Sequence, residues 1–320
     1  MADSKKDLAI KAALMYYEEN MMQSEIAQTL YISRSYVSQL LRYARETNIV
    51  RIEINIDEGS LRSFQKEDRL RKLFPNLREC FVMKSDSAEF TFSNLGRFAA
   101  PILARYINEA NIIGITPGNS VDRAIHQIKE WMLRKGREHT AVQMMGSFNL
   151  DKAPLYARPN EVVENLSKIL KCSAFYLNCP AFIDSFELRR RLLREKSITD
   201  IFRLWEKMDL IIVGIGNADI SSRLFSFYDD DCKRKIASSN ACGEINTHHF
   251  DISGNYLPLI EDRTICASNE VMKRVRRKVS ICAGANKGRA LLGALRGEYI
   301  DALITDSQTV DTVEKLLLIA

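Results

Sequence analysis

Residues 22–50 read MQSEIAQTLYISRSYVSQLLRYARETNIV. Ile26, Ala27, Leu30, Ile32, Val37, Leu40, Leu41 and Ala44 recur at steps of three and four, with one break at Tyr31-Ile32-Ser33, so a helical apolar stripe stops at a turn and resumes. Ser33 stands where the second helix needs a cap, because its hydroxyl can accept from an otherwise unpaired first-turn amide. The spacing therefore predicts a helix from about Arg34. It turns Val37, Leu40 and Leu41 inward and presents Ser33, Arg34, Ser35, Tyr36, Ser38, Gln39 and Arg42 outward. An amphipathic helix pair alone fits any globular protein. The order of small residues, cap and polar face is that of a helix-turn-helix, whose second helix enters the major groove while the first crosses the backbone. Between residues 34 and 51, Arg34, Arg42, Arg45 and Arg51 outnumber Glu46, an excess suited to phosphate.

Working outward, residues 7–20 form a helix whose Leu8, Ala12, Met15 and Tyr16 complete a three-helix head, and a strand Val50–Ile56 closes it as in a winged helix. Met22 is a poor cap and predicts a frayed first helix. Asp57–Ser60 reads as a turn, and Leu61–Phe74 as a charged linker helix with apolar Leu61, Phe64, Leu70 and Leu73, ended by Pro75.

From residue 78 the pattern changes to short apolar runs alternating with helical segments: 79–84, 111–116, 140–145, 173–177, 209–214, 279–283 and 302–305. This predicts a doubly wound, mostly parallel α/β unit over residues 58–320 behind the head at 1–57. In such sheets ligands sit at the carboxyl ends of strands. The loop Gly114-Ile115-Thr116-Pro117-Gly118-Asn119-Ser120, ahead of a helix expected over 121–134, offers glycines for close backbone approach, with hydroxyls and amides for a phosphate. Gly146-Ser147 and Gly214-Ile215-Gly216 end two further strands, and the latter lacks the remaining glycine and acidic residue of a dinucleotide fingerprint. Cys242-Gly243-Glu244, Phe250-Asp251-x-x-Gly254, Ala283-Gly284-Ala285-Asn286-Lys287 and Thr305-Asp306 are the remaining polar stretches. Lys287 opens a helix, where a cation is disfavoured by the dipole unless an anion is bound.

Composition bounds the rest. At 320 residues, 46% hydrophobic, 27% charged and a net charge of +5, the chain is expected to be a soluble two-domain protein. Residues 1–56 hold seven Lys/Arg and seven Asp/Glu, so DNA binding rests on the recognition helix rather than on bulk charge. Neither a membrane span nor a secretory leader is read, and a cytoplasmic location is expected. The seven scattered cysteines, without a CxxC pair, argue for reduced thiols rather than disulfides or a zinc ribbon. His248-His249 with Glu244 and Asp251 does not form a metal set, because adjacent strand residues face opposite ways, and no cofactor is expected. The basic run Lys273–Lys278 reads as a solvent or subunit-contact face.

Gln23-Ser24-Glu25-Ile26-Ala27, Leu30-Tyr31-Ile32-Ser33-Arg34 and Val37-Ser38-Gln39-Leu40-Leu41 resemble the helix-turn-helix of the SorC/DeoR family of bacterial sugar-responsive regulators, and the later stretches resemble its effector domain, similar in fold to sugar-phosphate isomerases. The resemblance implies a regulator that binds operator DNA and a phosphorylated sugar, as a homodimer or homotetramer. It implies an effector site built from Gly114, Thr116, Gly118, Asn119, Ser120, Gly146, Gly214, Glu244 and Lys287: Thr116 to Ser120 at the phosphate, Glu244 at ligand hydroxyls, Lys287 as the lysine of the AGxxNK stretch. Three departures are Gly114-Ile115-Thr116 for Gly-x-Gly, Gly146-Ser147 for Gly-Gly, and the longer Glu244. Some members carry a Lys or Arg near Met144–Met145 that contacts the effector; its absence here argues against a Schiff base. The alternative is an isomerase-type enzyme with an accessory head, for which Glu244 and Lys287 are the only acid–base candidates and no catalytic cluster accompanies them.

Overall fold

The helical stripe of residues 22–50 folds as its periodicity requires. The computed structural model describes residues 5–52, 61–85, 88–148, 158–220, 222 and 224–319, and the chain divides into units of residues 1–57 and 58–320. In the first unit, α1 (Lys5–Tyr17), α2 (Gln23–Thr29) and α3 (Arg34–Glu46) enclose a small core of Ala9, Ala12, Ala13, Ile26, Ala27, Val37, Leu40, Leu41 and Ala44. Tyr31 takes a left-handed φ of 54° between α2 and α3. Three expectations are corrected. The Glu25 carboxylate reaches back to accept from the Met22 amide at 2.7 Å, so α2 is held at its start without a hydroxyl cap. Tyr17 packs on the core, and Tyr16 stands outside it, edge-on to Tyr17. Val50–Ile52 are not in a strand, and the rest of the expected wing, 53–56, lies with the 57–60 turn outside the described residues.

The second unit begins with α4 (Phe64–Leu73) and β1 (Glu79–Met83). Phe64 and Leu73 are exposed; what α4 buries besides Leu70 is Glu67. The Glu67 carboxylate accepts from Arg62 Nε and Nη2 at 2.9 and 2.6 Å and from the Val82 amide at 2.9 Å, which fixes α4 to the sheet edge. Then follow α5 (Ala88–Ile107), β2 (Ile112–Ile115), α6 (Asn119–His126), β3 (Thr140–Gln143), α7 (Pro159–Leu170) and β4 (Ser173–Phe175). Next come α8 (Phe186–Leu192), α9 (Lys196–Trp205), β5 (Leu210–Val213), β6 (Gly216–Asn217), α10 (Asp230–Ala237), β7 (Ala241–Ile245), β8 (His248–Asp251) and β9 (Tyr256–Leu257). The chain closes with α11 (Asn269–Arg274), β10 (Arg277–Ile281), α12 (Gly288–Arg296), β11 (Ala302–Asp306) and α13 (Ser307–Ile319).

Seven strands form one parallel sheet in the order β1-β11-β10-β5-β2-β3-β4. Both faces are covered, and alternation along each strand sorts side chains between two apolar layers. Ile113, Ile115, Leu210, Ile212, Val279 and Ile281 join one layer, and Val142, Ile211, Val213 and Leu303 the other. From β2 the chain winds outward through β3 to β4, returns to β5 beside β2, and winds the other way through β10 and β11. The strand order therefore reverses between β2 and β5, where an open sheet leaves a crevice at its carboxyl edge.

The helix expected over 121–134 stops at His126, because Asn108 clamps the segment beyond it: the Asn108 Nδ2 donates to Met132 O and its Oδ1 accepts from the Arg134 amide, both at 2.8 Å. A second sheet, antiparallel in the order β6-β7-β8-β9, is one that the apolar runs do not announce. Asn246 and Thr247, at φ 54° and 70°, make the two-residue turn that joins β7 to β8. Among the described residues no helix is long and apolar enough to cross a membrane.

Candidate functional site

On α3 the Ser33 hydroxyl accepts from the Tyr36 amide at 3.1 Å, as its position predicts. Ser33, Arg34, Ser35, Ser38, Gln39 and Arg42 are exposed along one side, while Tyr36 is half-buried against the head core. Among the described residues no carboxylate pairs with Arg34, Arg42 or Arg45, which leaves three guanidinium groups open to phosphate. Tyr31, in the turn between α2 and α3, is 95% exposed.

In the second unit a cavity of about 290 Å³ opens at the carboxyl edge of the sheet, at the reversal between β2 and β5. One wall is Thr116 to Ser120, running from β2 into the first turn of α6, whose leading amides have no intrahelical partner. Thr116 is buried, and its hydroxyl oxygen accepts from the Gly214 amide at 3.2 Å, tying the ends of β2 and β5 together. Asn119 Oδ1 accepts from Arg123 Nε at 2.8 Å. The facing wall comes from the turn Ala285–Lys287 that leads into α12: Asn286 and the half-buried Lys287, which has no ion-pair partner among the described residues. Gly284, at φ 112°, makes the bend before it and donates its amide to Asp306 Oδ2 at 2.8 Å. Asp306 also accepts from the Gln308 and Thr309 amides and the Thr309 hydroxyl, so it is consumed in holding the loop and is no ligand group.

The floor belongs to the second sheet. Glu244 is 6% exposed; its Oε2 accepts from the Thr247 amide at 3.0 Å, and Gly216 passes so close that a methyl group there would stand 1.8 Å from Oε1. Burial pushes its carboxyl above the usual range, against the Thr247 hydrogen bond and the charge of Lys287. Beside it Asn246 donates through Nδ2 to Met144 O and Ala267 O, both at 3.3 Å, while its buried Oδ1 has no partner. An amide oxygen left unpaired at a cavity can accept from a ligand donor. The remaining wall is apolar: Met145, Phe148, Leu224 and Phe227, the two rings 4.3 Å apart.

Of the nine residues expected at the effector, Thr116, Gly118, Asn119, Ser120, Gly214, Glu244 and Lys287 line this cavity, and Gly114 and Gly146 do not. Both serve packing. A methyl group at Gly114 would meet Met208 Sδ at 2.3 Å and Met144 Sδ at 2.9 Å inside the core, and one at Gly146 would meet the Pro180 carbonyl at 2.6 Å. Asn246 and the aromatic wall were missed, since nothing local in Asn246-Thr247 marks a tight turn as an Asn-Gly pair would. Elsewhere Asp251 accepts from the Ser253 and Asn255 amides, closing its own turn. The basic run is solvent-facing at Lys273, Arg274 and Arg276, as expected, and turns inward at its end, where Arg277 pairs with Glu109 at 2.6 Å and buried Lys278 with Asp301 at 2.9 Å.

A helix-turn-helix head followed by a doubly wound unit with a charged crevice at its switch point defines a ligand-controlled DNA-binding regulator. Residues 60–315 match the family described as "Putative sugar-binding domain", and residues 14–47 match "Sigma-70, region 4". The chain is 27% identical to the sorbitol operon regulator of Klebsiella pneumoniae, covering 96% of this chain and 98% of the relative. It is 25% identical to the deoxyribonucleoside regulator of Bacillus subtilis, covering 97% of each. The full-length crystal structure of the Klebsiella regulator superimposes with a TM-score of 0.75 over 97% of this chain and 99% of that one. This chain belongs to the SorC/DeoR family of sugar-responsive transcriptional regulators. Its relatives are regulators and not enzymes, and the isomerase alternative is set aside.

Proposed function

We propose that the effector of this cytoplasmic regulator is a phosphorylated sugar bound in the crevice between β2 and β5, and that it changes how paired heads of a homodimer or homotetramer engage operator DNA. One juxtaposition carries the reading: the leading amides of α6 and the unpaired Lys287 face a buried carboxylate and an unpartnered amide oxygen across a single cavity. The amides and Lys287 suit a phosphate. Glu244 and Asn246 are acceptors for hydroxyls, and the Phe148–Phe227 wall suits the apolar face of a carbon skeleton. Relatives named for sorbitol and for deoxyribonucleosides support a carbohydrate-derived effector. Exposed α3 side chains, with three unpaired guanidinium groups, support DNA contact through both base edges and phosphates.

The test is a thermal-shift panel of sugar phosphates, each beside its dephosphorylated parent. A ligand at about 100 times its dissociation constant stabilises by roughly 2.7 kcal/mol, a shift read directly in the melting temperature. At least one phosphate is expected to stabilise the parent chain, its free sugar to do so far less, and Lys287→Ala to remove the difference. Equal shifts from a phosphate and its free sugar would overturn the phosphate assignment.

A further inference from the structure

Outside the effector cavity, β8, β9 and the segment 261–267 bring four groups together that regulation by a sugar does not use. Cys266 is half-buried, and its Sγ lies against three groups able to donate to a thiolate: His248 Nε2 at 3.7 Å, the Thr247 hydroxyl at 3.4 Å and the Thr264 hydroxyl at 3.9 Å. His248 is buried with acceptors on both sides of its ring. Nε2 lies 2.8 Å from Ala267 O, and Nδ1 lies 3.7 Å from Glu261 Oε1 and 3.4 Å from the Tyr256 oxygen. The Tyr256 hydroxyl donates its proton to Glu261 at 2.7 Å, so it offers Nδ1 only lone pairs. Acceptors at both nitrogens call for the doubly protonated ring, and an imidazolium beside a sulfur ringed by donors favours the thiolate.

We propose that Cys266, activated by His248 and Glu261, is a peroxide-reactive thiol whose oxidation is a second input to this regulator. The thiolate sulfur attacks one oxygen of a hydroperoxide; the S–O bond forms, the O–O bond breaks, and the two electrons leave sulfur for the departing oxygen. That oxygen takes the His248 Nε2 proton, shared in the resting state between Ala267 O at 2.8 Å and Cys266 Sγ at 3.7 Å, and departs as water or an alcohol, leaving sulfenic acid on Cys266. Cys266 lies opposite Met145 in an antiparallel bridge, and Met145 lines the cavity. Thr247, against its sulfur, gives its amide to Glu244, and Ala267 O holds both His248 and Asn246. An added oxygen therefore presses on the turn that carries Asn246 and, through the Thr247 amide, holds Glu244.

The other six cysteines supply the control. Burial pushes Cys179 and Cys242 up to about 11 and Cys232 and Cys282 up to about 12, and raises Cys80 and Cys172 as well. Only Cys266 is held below its ordinary range; burial opposes this, and His248 with the two hydroxyls prevails. Cys172 is also half-buried, so it reports accessibility without activation.

The experiment exposes the full-length reduced chain to stoichiometric hydrogen peroxide, traps sulfenic acid with dimedone, and reads each cysteine peptide by mass spectrometry. Cys266 is expected to label at least tenfold faster than Cys172. Glu261→Gln and Tyr256→Phe, which keep the fold's volume, should slow Cys266 and shift its iodoacetamide rate profile to higher pH without changing Cys172. Labelling of Cys266 no faster than of Cys172, or a Cys266 profile that neither variant moves, would overturn the proposal. The sugar-phosphate panel run on the Cys266→Ser chain keeps this outcome separate from that of the effector assignment.

Discussion

Replacing Glu244 by Gln separates binding from stability in opposite directions. The carboxylate is nearly enclosed, accepts from the Thr247 amide at 3.0 Å through Oε2, has Oε1 against Gly216, and lines the cavity. Gln keeps the shape and can keep the Thr247 hydrogen bond, so what it removes is the charge. A charge-assisted contact to a ligand hydroxyl contributes about 1.5–3 kcal/mol, so the variant should need roughly 10- to 150-fold more sugar phosphate for the same response. Stability moves the other way. Burial raises the Glu244 carboxyl above its unfolded value, so the folded chain holds that proton more tightly, and the associated stability is present below the unfolded pKa and lost as pH rises through the folded one. Gln is never charged, and the ligand-free variant should melt above the parent at pH 8, with the gap closing as pH falls below the ordinary glutamate range. Parallel melting curves from pH 4 to 8 and an effector titration measure both effects. A variant that melts lower at pH 8, or that answers effector at the parent's concentration, would refute the reasoning.

Leu40→Ala empties the centre of a nine-residue core; a Leu-to-Ala cavity costs about 2.7–5 kcal/mol, a large share of the roughly 3–9 kcal/mol that about 0.05–0.15 kcal/mol per residue gives a head of this size. Operator binding should vanish while the melting transition of residues 58–320 stays put, as calorimetry would show; retained binding would count against this core. Gly146→Ala drives a methyl group to within 2.6 Å of the Pro180 carbonyl and should lower stability by about 1–3 kcal/mol without altering which sugar phosphate is preferred, whereas an unchanged melt would show that the loop yields. Gln39→Ala should relax operator sequence preference, and Arg42→Ala should weaken binding evenly and reduce the salt slope by about 1; identical footprints and affinities for both would remove α3 from the interface.

The head was legible because its signals are local. The Ser33 cap and the three-and-four spacing through Val37, Leu40, Leu41 and Ala44 act within one helix, and the structure follows them. The parallel sheet was legible for a related reason: strands buried on both faces are written as short continuous apolar runs, and the seven expected runs overlap β1, β2, β3, β4, β5, β10 and β11, of which only the edge strand β4 is largely exposed. Tyr16 and Tyr17 differ by one position, and the helix angle that puts Tyr17 on the core depends on where α2 and α3 lie. Glu67 reads as a solvated charge until Arg62 and the Val82 amide close on it. Gly114 and Gly146 look like ligand loops in one dimension, but Met208 and Pro180, remote in the chain, fill the space beside them. The cavity itself draws on residues from Thr116 to Lys287, and only the strand order sets β2 beside β5 and the β7–β8 turn beneath them. Capping and periodicity are energies of neighbouring residues, and the chain states them outright; which distant polar atoms end up buried together without partners, as at Asn246 Oδ1, is decided by packing alone.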